Sequence, residues 1–165
     1  MTGIVRDRSL EQRMADLEQI ESIKAPMYRC WGVCGTKDPA AFRDCFIKVG
    51  ASNGPLGTFD DADGIIEVFA ETPLKKVEGR CAVLDMHHGF HPCTTPLSDT
   101  EASGTWTLLI RRVNRLDNTG MLGAGEYDAY VVEDGRGKVS KSNHQPVGIQ
   151  RPLLPNTVVE QVSWA

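Results

Sequence analysis

The chain has 165 residues, a length that one hydrophobic core fills before chains tend to divide. Its 41% hydrophobic and 24% charged composition is that of a soluble globular protein rather than a disordered or membrane one. A net charge of −4 without a basic run argues against a nucleic-acid partner, because phosphate affinity depends on clustered Lys and Arg.

No apolar run approaches the ~20 residues that span a bilayer, and Met1 to Arg8 lacks a signal-peptide core, so no membrane contact and a cytoplasmic location are the expectations. The five cysteines, Cys30, Cys34, Cys45, Cys81 and Cys93, form an odd set without paired metal spacing. Free thiols are expected, and no metal site.

From Ser9 to Cys34 the apolar positions Leu10, Met14, Leu17, Ile20, Ile23, Met27, Cys30, Trp31 and Cys34 recur at helical spacing under a Glu-rich face. Ser9 with Gln12 reads as a capping box, and Pro26 is expected to kink or divide the helix near Ala25. A second, short helix from Pro39 to Phe46 is capped by Asp38, and a third, covering Gly64 to Thr72, is opened by Asp60 or Asp61. Between them, Ile47 to Phe59 is Gly-rich and reads as a short strand and loop.

After Pro73 the texture turns strand-like, over Val77 to His91, Ala102 to Asn114, Met121 to Glu133 and Lys138 to Gln150. Turn residues at Leu97-Ser98-Asp99, Leu116 to Gly120 and Glu133-Asp134-Gly135 let consecutive strands pair as hairpins. Helices first and an antiparallel sheet second predict an α+β domain. The apolar tail, 151–165, reads as an extension of that single domain, either a lid or a subunit contact.

Chemistry concentrates around His87-His88-Gly89-Phe90-His91. Alternation puts His87, Gly89 and His91 on one strand face, with His87 the first choice for a general acid or base. Tyr28 and Asp128 are the other catalytic candidates: Tyr28 could supply a hydroxyl from the first helix, and Asp128 could orient His87 or act as a second base. Cys30, Trp31, His91, Trp106, Ile110 and Asn143 are the candidate substrate-lining residues. The face carrying Trp106, Leu108 and Ile110 is expected to point inward, and that carrying Glu126 and Asp128 either way.

The blocks Ile20 to Lys24, Gly35 to Asp38, His87-His88-Gly89, Gly104-Thr105-Trp106 and Gly123 to Tyr130, in this order and spacing, resemble the SnoaL-like branch of the nuclear-transport-factor-2-like superfamily. The resemblance implies a cone-shaped barrel, a curved, mainly antiparallel sheet around N-terminal helices, with a pocket at the wide end. Its relatives include dehydratases, ketosteroid isomerases and polyketide cyclases that work without a cofactor. Matched block by block to the bile-acid dehydratase pattern of Tyr, Asp, His and Asp, this chain has Cys30, Gly35, His87 and Ile110, so of the four only the histidine is retained. The resemblance implies a lyase or isomerase, dehydratase-like, that moves a proton on a small hydrophobic cyclic or aromatic compound, assembled as a homodimer or homotrimer. The alternative is a non-catalytic ligand-binding or assembly module, such as the small subunit of a ring-hydroxylating dioxygenase.

Overall fold

A computed structural model describes residues 8–48, 57–71, 73–132 and 137–150, with the side chains of residues 127, 128 and 130–132 excepted. Three helices precede the strands: α1 (Leu10–Thr36), α2 (Pro39–Asp44) and α3 (Ala62–Glu71). A small hairpin follows, β1 (Lys76–Val77) with β2 (Arg80–Cys81), turned at Glu78 and Gly79, both at positive φ. The main sheet is β3 (Val83–Pro96), β4 (Glu101–Asn114), β5 (Thr119–Val132) and β6 (Lys138–Gln150), antiparallel in chain order. Helices packed on one antiparallel sheet make this the expected α+β architecture; β3 and β6 are its outer strands and do not pair with each other, and β6 bridges in parallel to Phe46 through Val139.

The capping box is present, with Ser9 Oγ accepting from Gln12 N–H and the Gln12 side chain accepting from Ser9 N–H. The helix is not divided: it runs on through Pro26. The missing donor of an interior proline costs ~3 kcal/mol, and burial of Pro26 with its neighbours Ile23 and Met27 offsets it. The apolar stripe is buried only from Ile23 onward, whereas Leu10, Met14 and Leu17 are exposed. Asp38 caps α2 through Ala41 N–H, and Asp61 accepts from Gly64 N–H at the start of α3, as their sequences suggest.

One core joins the layers. Met27, Cys30 and Trp31 of α1 meet Trp106, Leu108 and Ile110 of β4, and the rings of Trp31 and Trp106 pack edge to face at 5.8 Å and 86°. Phe42 stacks on Phe69 at 4.4 Å and seals α2 against α3. Trp31 also packs closely against Gly89, where an added Cβ would fall 1.9 Å from its ring. Only a glycine leaves room for that approach. On the opposite face of the sheet, Met86, Phe90 and Leu122 are exposed.

The strand following the helices begins at Val83 rather than Val77, because Ala82 breaks the run and donates its N–H to Lys75 O. Inward alternation along β3 holds for Val83, Asp85, His87 and Gly89 but stops there. Between Phe90 and Cys93 the register with β4 slips, and His91 takes a left-handed φ of 52°. His91 therefore lies in a bulge, exposed, instead of continuing the His87 face. The tail from 151 and the Glu133-Asp134-Gly135 turn lie outside the described residues.

Candidate functional site

The site is built where the C-terminal end of α1 meets β3. Val33 O accepts the Lys37 backbone N–H, and Lys37 caps the helix at φ 62°, ψ 33°. A non-glycine residue is disfavoured there by about 1 kcal/mol. This turn sends the Lys37 side chain inward, where Nζ donates to Asp85 Oδ1 at 2.5 Å and sits 5.7 Å from the Phe69 ring centroid. From the other side, Arg112 donates Nε and Nη2 to Asp85 Oδ2 at 3.2 and 3.0 Å. The side chains of Lys37, Asp85 and Arg112 are 5%, 1% and 33% exposed. Two cations on one carboxylate leave a net charge of +1, with Arg112 the member that water reaches.

His87 stands beside this cluster. It follows Asp85 by two residues on the same strand face and pairs in register with Ile110, as Asp85 pairs with Arg112. Its ring is half-buried, and Nδ1 is out of contact with water and without a hydrogen-bond partner among the described residues. Burial pushes its pKa from the usual 6.5 down to about 4; Asp85 opposes that shift, while Arg112, Lys37 and His144 add to it. The imidazole is accordingly neutral near pH 7. A neutral imidazole can accept a proton from a bound molecule and, being a weak base, readily gives it back.

The remaining sequence candidates fall in several places. Trp106 and Ile110 are buried on the inner face with Leu108, and Trp31 covers Gly89, the next inward position after His87. Cys30 is buried in the core, where hydrogen bonding with Cys34 and Cys45, then desolvation, raises its thiol pKa and keeps it protonated. Cys45 is lowered, first by Cys30 and also by the Arg29 guanidinium. Tyr28 is not brought to His87's face: it is 44% exposed, with its ring 6.0 Å from Trp31. An unbroken helix leaves no rotation to bring it in.

Asp128 pairs with Thr105 and Asn143, while its side chain lies outside the described residues. Thr105 is exposed, and so is Glu126. Asn143 thus occupies the register of the Thr105 row. The neighbouring His144 instead pairs with Tyr127 opposite Trp106, against Gly125, where an added Cβ would fall 2.6 Å from its Nε2. Sequence reading chose Asn143 among the polar residues of β6, but pairing parity selects His144. Burial lowers the His144 pKa as well.

Sequence reasoning missed Asp85, Lys37 and Arg112. An acid two residues before a strand histidine was a usable signal, since both must share a face. The partners of that acid depend on long-range register and on a left-handed cap, which a single sequence does not display. Gly35, where the resemblance has a carboxylate, does face this region, for a Cβ there would lie 3.6 Å from Asp85 O. Among the described residues, no group of three His, Cys, Asp or Glu side chains could hold a metal ion, and no helix is long and apolar enough to cross a membrane.

The chain that folds into these helices and this antiparallel sheet matches a known family. The model of the SnoaL-like domain fits residues 15–143. The chain belongs to the SnoaL-like domain family. Among solved structures, it is similar to a hexachlorocyclohexane dehydrochlorinase, LinA-type3 from Novosphingobium barchaimii, at 13% identity, over 90% of this chain and 99% of that one, with a TM-score of 0.71. A candidate scytalone dehydratase from Novosphingobium aromaticivorans matches at 18% identity, over 88% and 97% of the two chains, with a TM-score of 0.69. ActVI-ORFA from Streptomyces coelicolor matches at 13% identity, over 79% and 98%, with a TM-score of 0.63. No curated protein matches significantly by sequence. At these identities the SnoaL-like likeness establishes the fold, and the chemistry has to be argued from the site.

Proposed function

We propose that this SnoaL-like protein is a cofactor-independent lyase or isomerase that uses His87 to move a proton on a small hydrophobic cyclic or aromatic compound. The observation that carries the reading is the buried Nδ1 of His87, unpartnered among the described residues, on the same inner face as Leu108 and Ile110. A buried polar atom without a partner is uncommon, and a bound molecule is one way to satisfy it. In the reaction, a substrate C–H proton passes to the imidazole and its electron pair forms a carbon–carbon double bond. Either a leaving group departs or the proton returns at another carbon. The elimination branch is favoured by the names of two similar structures, a dehydrochlorinase and a candidate dehydratase.

The test is a screen of small cyclic compounds for turnover, followed by substitution of the base. His87→Ala and His87→Gln should lower kcat by ~10²-fold or more with little change in folding. Unchanged turnover in both variants overturns the reading.

One observation favours a second reading, a non-catalytic binding or assembly module. Trp31 and Trp106 fill part of the interior that a substrate would need. Ligands that bind tightly yet are recovered unchanged would support it.

A further inference from the structure

The charge excess beside His87 points to the kind of molecule it handles. Lys37 and Arg112 contribute two positive charges and Asp85 one negative charge, leaving +1 in a place where only Arg112 keeps substantial contact with water. The excess therefore sits on Arg112, the member of the cluster that water, or a molecule entering from it, can reach. Asp85 is already occupied on both oxygens, one by Lys37 and the other by Arg112. Its single negative charge is shared between two cations and balances only one of them. Arg112, by contrast, commits Nε and Nη2 and makes no hydrogen bond through Nη1 among the described residues. Guanidinium groups are suited to hold a carboxylate by such an edge.

The spacing is also suitable. Arg112 is the diagonal neighbour of His87 across β3 and β4, since His87 pairs with Ile110. Diagonal positions on one sheet face lie about 7–8 Å apart, within reach of a small molecule bridging the two side chains. The floor between them is Ile110 and, beyond it, Gly123, both buried.

We propose that the ligand of this site is a small apolar carboxylic acid, its carboxylate held by Arg112 and a carbon near that carboxylate placed at His87. This deepens the proton-transfer reading and rests on it for the reacting carbon, while binding of the acid can be measured without turnover. The anion has a second consequence. Its negative charge cancels the local excess, so the imidazole becomes easier to protonate once the ligand is seated. The substrate would thereby restore basicity to a histidine that burial keeps weak.

The experiment compares three carboxylates, benzoate, cyclohexanecarboxylate and 2-naphthoate, with their uncharged carboxamides on the whole protein. Affinity is followed by calorimetry and His87 titration by NMR. At least one acid should bind tenfold or more tightly than its amide, more weakly as salt is added, and should move the His87 pKa upward from about 4. Arg112→Gln should erase the preference and Arg112→Lys keep part of it, with near-ultraviolet circular dichroism confirming an unchanged fold. The proposal is overturned if no acid is preferred over its amide in the unaltered protein, or if the preference survives Arg112→Gln in a folded variant. Loss of turnover in His87→Ala with uncharged compounds as the better ligands would retain proton transfer and remove the acid. Preferred acids that are never turned over would retain the acid and remove the lyase.

Discussion

Lys37 Nζ and Asp85 Oδ1 approach to 2.5 Å with both side chains almost wholly removed from water, tying the left-handed end of α1 to the start of the sheet's outer strand β3. Breaking such a pair strands one charge in low dielectric, which costs more than the pair itself contributes. Lys37→Met should destabilise the fold by ~3 kcal/mol, read as a lower urea midpoint at unchanged slope. Asp85→Asn should cost at least as much, because it exposes Lys37 and Arg112 to each other. A double variant, Lys37→Met with Asp85→Leu, should recover much of the loss if volume is filled. Equal stability of all three variants and the parent would show that the pair is solvated.

Stability should fall as the protein is acidified through the range set by His87. The imidazole is held at about 4 in the folded chain against 6.5 when unfolded, so between these values the unfolded state binds more protons. Stability from this group is fully present above pH 6.5 and is lost progressively on the way down to pH 4, by ~3 kcal/mol in all. His87→Gln removes the titrating group and should flatten that part of the profile. Urea midpoints measured at half-unit intervals for both proteins decide it. An identical slope in parent and variant would mean that His87 titrates normally.

The element pattern was legible because it rests on local chemistry. Ser9 with Gln12, Asp38 before Pro39 and the alternation of Trp106, Leu108 and Ile110 each act within a few residues, and each is found as read. The site was legible only at His87. Its neighbours come from α1 and β4, joined by a register that begins with Val83 opposite Asn114, and no local pattern announces that pairing. His91 illustrates the limit in the other direction. Strict alternation would keep it beside His87, but one extra residue, so that His91 and Pro92 together oppose Trp106 on β4, turns it outward. Leu10, Met14 and Leu17 show it again, since helical periodicity identifies a face without saying how far along the helix the sheet extends.

The contact between Gly89 and Trp31 should tolerate no enlargement. Gly89→Ala places a methyl carbon 1.9 Å from the ring, in the middle of a packed strand, so the indole must move off its contact with Trp106. Overpacking of this kind costs ~1–3 kcal/mol. Trp31→Ala, which leaves a hole instead, should cost ~3–5 kcal/mol. In the double variant the clash is absent, so Gly89→Ala should cost little beyond Trp31→Ala. Chemical denaturation of the four proteins measures this coupling, and strict additivity would remove the steric explanation.

Gly35 offers a direct way to change the electrostatics around His87. Its Cα faces β3, and a Cβ added there would meet Asp85 O at 3.6 Å, an ordinary contact, so the first side-chain carbon is accommodated. Gly35→Asp would bring a carboxylate to the side of the cluster that now carries an excess positive charge, and replacing glycine inside a helix also removes up to ~1 kcal/mol of backbone disadvantage. The added charge should raise the His87 pKa from about 4 towards its ordinary value, because Lys37 and Arg112 would then be matched by two acids rather than one. Gly35→Asn has nearly the same shape without the charge and should leave the titration where it is. NMR titration of His87 in the three proteins separates the two effects. A shift of equal size in the Asn and Asp variants would assign it to geometry, and no shift in either would place Gly35 too far from the imidazole to act on it.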